Sequence, residues 1–167
     1  MKKYLKYSAL SIMAMMCMCV FTACGGDDKD DDLPEGYYMT TEGVHRIEVS
    51  FNGDLTGWDG EMTFIAVYGN GTLGNVKLYE NGQLVADNGG YRIEALRNCA
   101  IETDAKCDQM NLGLIMEHSS SKSVSSITVT LKSFINGQQK KMKVIDFPAN
   151  ESYKSIIFNS ELDADIL

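Results

Sequence analysis

The dipeptide Asn81-Gly82, set between "NVKLYE" and "QLV", constrains this chain more than any other short stretch. Both residues tolerate positive φ, so the pair favours a two-residue hairpin whose twist matches its flanking strands. The same dipeptide returns at Asn136-Gly137, between "SITVTLKSFI" and "KMKVIDF". Around these turns the apolar residues recur at every second position. In "VHRIEVSF", Ile47, Val49 and Phe51 share one face while Arg46, Glu48 and Ser50 share the other. "YRIEALR" places Tyr91, Ile93 and Ala95 together, "MNLGLIM" offers Met110, Leu112, Leu114 and Met116, and "SITVTLKSFI" offers Ile127, Val129, Leu131 and Ile135. "EMTFIAVY" is apolar on both parities, as suits a central strand buried on both faces. "YKSIIFN" closes the series. Proline occurs only twice, and Gly, Asn and Asp fill the gaps as turn chemistry requires. The pattern predicts an all-β domain, an antiparallel β-sandwich of seven to nine strands, immunoglobulin-like in the broad sense. An eight-stranded lipocalin-like barrel satisfies the same pattern.

The first residues obey different rules. Lys2, Lys3 and Lys6 precede an uncharged run from Tyr7 to Gly26 whose centre is "ALSIMAMMCMCVF". This is the layout of a secretory signal, with small residues Thr22 and Ala23 directly before Cys24. An uncleaved membrane span is the alternative, since twenty uncharged residues are just long enough. Next come Gly25 and Gly26, then five aspartates and a lysine from Asp27 to Asp32. A run so charged repels itself and stays hydrated. It is not an EF-hand: a loop starting at Asp28 would need Gly and Glu where Leu33 and Met39 stand.

"FTAC", residues 21–24, resembles the lipobox of bacterial lipoproteins, with Phe21 where an aliphatic residue is usual. The resemblance implies cleavage before Cys24 and diacylation of its thiol, and two acyl chains suffice for stable membrane attachment. The acidic run that follows resembles the surface-export signal of Bacteroidota lipoproteins. It implies an outer-membrane protein facing the environment, a periplasm-facing one being the alternative. The expected organisation is a signal peptide 1–23, a lipidated tether 24–36 and a single domain 37–167. With its "LYENG" hairpin and mid-chain cysteine pair, that domain resembles the small β-sandwich lipoproteins of the same bacteria.

Composition narrows the function classes. Residues 37–167 carry 11 basic and 17 acidic side chains, a net of −6. "KKMK" at Lys140–Lys143 is the only basic knot, so no phosphate-binding face is expected and nucleic acid is an unsuitable partner. After processing, two cysteines remain. Cys99 and Cys107 flank "AIETDAK", read as a polar connection between two strands; if those strands pair, a disulfide closes, and a secreted compartment permits one. Otherwise Cys99 is a small core residue. No further soft ligands accompany them, so neither a metal nor any other cofactor is expected.

His45 shares parity with Ile47 and belongs at the core edge. His118 precedes the serine-rich "SSSKSVSS", but no strained G-x-S-x-G elbow is present and catalysis is not expected. Trp58 lies in "NGDLTGWDGE". There it either stacks on a sugar ring, with Asp54 and Asp59 accepting hydroxyl hydrogens, or folds back to cap the core. These features point to a non-catalytic surface module that binds a glycan or a protein. The alternative is a structural or accessory lipoprotein of an envelope or fimbrial assembly.

Overall fold

The computed structural model describes residues 41–67, 76–104, 107–119, 121 and 123–161. The signal segment, Cys24, the acidic tether, Tyr37 and Tyr38 lie outside that set. Ten strands occur among the described residues: β1 (His45–Asn52), β2 (Trp58–Val67), β3 (Leu78–Glu80), β4 (Gln83–Ala86), β5 (Gly90–Ile93), β6 (Cys99–Thr103), β7 (Gln109–His118), β8 (Ile127–Ile135), β9 (Gln138–Phe147) and β10 (Tyr153–Asn159). They form two open antiparallel sheets, ordered β4-β3-β6-β1-β8-β9 and β10-β7-β2-β5. The expected β-sandwich is therefore the fold, and no barrel closes.

Both Asn-Gly pairs turn as their chemistry demands. Asn81 and Asn136 each have φ of 51°, and Gly82 and Gly137 each have φ of 78°. Positive φ at both central residues is the conformation that lets a two-residue loop join twisted strands. The turns build β3–β4 and β8–β9. The latter is a long hairpin pairing Ile127 with Phe147 and Ile135 with Gln138, with a register shift between Ser133 and Phe134.

Between the sheets lies one core. The larger sheet contributes Ile47, Val49, Leu78, Ile101, Ile127, Val129, Leu131 and Phe147; the smaller contributes Trp58, Met62, Phe64, Met110, Leu112, Leu114, Met116 and Phe158. Fully burying one such aliphatic or aromatic side chain stabilises the fold by about 1.5–3 kcal/mol. The alternation read from β1, β7 and β8 thus falls on the inner faces. β2 is buried on both parities, Ile65 and Val67 being covered on the face opposite Phe64.

Two expectations need correction. β5 ends at Ile93, and Ala95, read as an inward residue of that strand, is exposed. The strand count is ten because "CAIET", read as part of a connection, is β6, lodged between β3 and β1. Its inward residues are Ile101 and Thr103, so a single strong apolar position marks it in the sequence.

The side of the sandwich between β9 and β10 is sealed reciprocally. The Lys141 ammonium of β9 lies 5.3 Å from the Phe158 ring of β10, and the Lys154 ammonium of β10 lies 5.4 Å from the Phe147 ring of β9. Each lysine thereby gains a cation–π contact across the gap.

Candidate functional site

At one end of the sandwich the β1–β2 loop delivers Trp58, opposite His118 of β7 in the β2–β7 ladder. The loop turns tightly: the Asp54 carboxylate accepts the Thr56 N–H at 2.9 Å, and the Leu55 carbonyl accepts the Trp58 N–H at 3.0 Å. Bonds from Thr56 hold the Asp54 carboxyl below its ordinary pKa. Trp58 itself is only 7 % exposed. Its indole N–H donates to the Ser125 carbonyl at 2.9 Å, and its ring meets His118 and Phe147 edge-on, with centroids at 4.7 and 6.4 Å. Of the two expectations for this residue, the capping role is the one found. A sugar has no open indole face on which to stack, so Trp58 drops out as a binding residue. Asp54 and Asp59 are exposed beside it without an aromatic platform.

The His118 Nδ1–H donates to the Ser119 carbonyl at 3.1 Å, and its Nε2 is buried with no hydrogen-bond partner among the described residues. Among the described residues no carboxylate hydrogen-bonds to it to form a relay, and its ring packs on Trp58.

The opposite end holds a polar cluster that the sequence did not announce. His45 is fully buried, with Nδ1 2.7 Å from Ser160 Oγ and Nε2 3.0 Å from the Thr41 carbonyl. A carbonyl can only accept, so Nε2 carries the proton and Nδ1 accepts from the Ser160 hydroxyl. Ser160 Oγ in turn accepts the Met110 N–H at 3.1 Å, and the Ser160 carbonyl accepts the Ser133 hydroxyl at 2.6 Å. The His45 N–H donates to Thr103 Oγ1 at 3.0 Å. Glu161 completes the cluster from the chain's other end, accepting the N–H and hydroxyl of Thr41, each at 2.6 Å. Burial lowers the His45 pKa from its ordinary value, outweighing the Thr41 carbonyl, Glu161 and Asp108, which raise it. A Ser–His pair invites a catalytic reading. Here both members are buried and both ring nitrogens and the Ser160 hydroxyl hold hydrogen-bond partners, so the pair ties β1 of one sheet to the end of β10 in the other.

The Cys99–Cys107 bridge is not formed; both thiols are free. The missed strand explains why. Cys99 opens β6 opposite Val49, and Cys107, four residues beyond the end of β6, lies opposite Gly43, six residues away along the same stretch of chain. Six residues of extended strand span about 20 Å, whereas a disulfide needs Cα atoms within about 7 Å. Burial pushes the Cys99 thiol up to about 12 and the Cys107 thiol up to about 11, so neither is a ready nucleophile. Among the described residues no three of His, Cys, Asp and Glu converge in a way that could hold a metal.

Comparison with known proteins matches this geometry at the level of the fold. No protein-family model matches the sequence, and no curated protein matches it significantly. Solved structures do. A DUF4425 family protein from Bacteroides ovatus superposes with a TM-score of 0.59 at 20 % identity, covering 71 % of this chain and 94 % of its own. A domain of unknown function, DUF4425, from Bacteroides vulgatus gives 0.58 at 15 % identity, covering 71 % and 93 %. The calcium-bound form of a protein from Parabacteroides distasonis gives 0.55 at 14 % identity, covering 78 % and 99 %. The chain shares their fold.

Within that fold, the accessible apolar surface has a consistent address. The four large apolar side chains exposed among the described residues are Leu84, Met142, Val144 and Tyr153, at 53, 56, 55 and 48 %. Leu84 is on β4, Met142 and Val144 on β9, Tyr153 on β10, and each of these strands is the last in its sheet. No periodicity argument finds this, because edge position depends on sheet order.

Proposed function

We propose that this chain is a lipid-anchored, cell-surface binding module without catalytic activity, and that its ligand is a protein or peptide rather than a glycan. The lipobox-like "FTAC" and the acidic run behind it support the anchor at Cys24 and the outward address. Placement of the exposed apolar residues on outermost strands carries the binding half of the reading. Along their outer edges no described strand pairs with them, and the backbone N–H and C=O groups of an outermost strand are ones that another polypeptide can satisfy and a sugar satisfies poorly. Burial of Trp58 weakens the glycan version. The calcium of the Parabacteroides neighbour is not extended to this chain, since a likeness at 14 % identity carries the fold alone.

Two measurements test the proposal. Metabolic palmitate labelling in a Bacteroides host should mark the wild-type chain and not Cys24→Ala, and protease added to whole cells should degrade the domain. Unlabelled wild type, or complete protection in intact cells, would refute the anchor or the outward address respectively. On a glycan array the wild type should bind nothing that Trp58→Phe does not bind equally.

A further inference from the structure

We propose that the outer edge of β9 is a docking strand for an extended segment of another protein that alternates carboxylate and apolar side chains. This rests on the binding-module reading above and specifies its surface. β9 is ten residues long, contains no proline and pairs with β8 on one side; no described strand pairs with the other. A strand added there continues the sheet through main-chain hydrogen bonds.

The side chains choose the occupant. On the outer face Met142 and Val144 stand two residues apart, more than half exposed, opposite Lys132 and Thr130 of β8. On the inner parity of the same strand come Lys141 and Lys143, both half-buried, the Lys141 ammonium lying over the Phe158 ring of β10. Between Ile127 and Phe147 the chain carries four lysines and one aspartate, a net of +3 on a domain of net −6. An incoming strand therefore meets apolar neighbours on one face and positive potential on the other, which selects apolar residues outward and carboxylates inward.

A second copy fits badly. In a two-fold antiparallel pairing of β9 with itself, centred anywhere from Lys141 to Lys143, some lysine falls directly or diagonally opposite another. Like charges so placed destabilise a strand pair. Lysines on an edge also guard against aggregation, but a purely guarded edge would not expose two adjacent apolar residues at its centre.

The test uses the mature chain with Cys24 replaced by Ser and a fluorescein-labelled peptide of about seven residues alternating Glu or Asp with Val or Leu. Anisotropy should show saturable binding that weakens at least tenfold in Met142→Asp/Val144→Asp, and again when salt is raised to screen the charges. Amide shifts should be largest along β9. The same peptide with Lys in place of each acid should not bind. Circular dichroism of the double variant separates lost docking from lost folding, and Lys140→Glu, at an exposed site on the same strand, should also weaken binding. No binding, equal binding of the basic peptide, shifts confined to the Trp58 end, or a wild-type dimer that Met142→Asp dissolves would each overturn the assignment. A chain that is palmitoylated and surface-exposed yet ignores the peptide would sink the docking strand and leave the anchored-module reading intact.

Discussion

The His45 imidazole accepts the Ser160 hydroxyl at 2.7 Å with both residues fully buried, joining the first strand of one sheet to the end of the last strand of the other. The arrangement requires a neutral ring. Protonation would turn Nδ1 into a donor and leave the Ser160 hydroxyl seeking a new acceptor, because Ser133 Oγ already donates to the Ser160 carbonyl.

From this follows a pH dependence. The folded-state pKa of His45 lies below its unfolded value of about 6.5. The unfolded state therefore binds more protons between the two values, and stability rises with pH across that window. His45 contributes fully above the unfolded value and loses its contribution as pH falls toward the folded one. Urea midpoints should drop between pH 7 and 5, and less steeply in His45→Gln; equal slopes would refute the account. Ser160→Ala leaves the Met110 N–H and His45 Nδ1 unsatisfied, each at about 1–3 kcal/mol.

Trp58 is a structural residue in this fold. Trp58→Ala removes the Ser125 bond and the packing on His118 and Phe147, and should cost about 3–5 kcal/mol in chemical denaturation. Trp58→Phe should recover more than half of that loss. An unchanged midpoint for Trp58→Ala would mean that the indole does not cap the core.

The two turn glycines offer a clean backbone experiment. A Cβ at Gly82 or Gly137 would meet no atom within 4 Å, yet both φ values are positive. Gly82→Ala and Gly137→Ala should each destabilise by about 1–2 kcal/mol through backbone strain alone. Gly60→Ala should be worse, since its Cβ would collide with the Ile115 carbonyl oxygen in the neighbouring strand. Thermal melts of the three variants give the ranking directly.

Thiol counting tests the cysteines. Unreduced, denatured protein bearing Cys24→Ser and lacking residues 1–23 should yield two reactive thiols, whereas a bridged pair would yield none. In the folded state both should react slowly at neutral pH, because burial raises their pKa values. Reductant should leave the melting temperature unchanged.

Period-two alternation in β1, β7 and β8 and the two Asn-Gly turns determined the all-β class, the inward residues and both hairpins, because face and turn conformation are local properties. The same local logic anticipated that β2 is covered on both faces. Sheet order is not local. "CAIET" has one strong apolar residue, and only insertion between β3 and β1 makes it a strand; that insertion pairs Cys99 with Val49 while Cys107 pairs with Gly43, too far along the same stretch of chain for a bridge. The burial of Trp58 and the joining of His45 to Ser160, 115 residues apart in the chain, are likewise set by which strands become neighbours. So is the edge position of β9. Alternation says which way a side chain points from its strand, and only the packed sheets decide what it meets there.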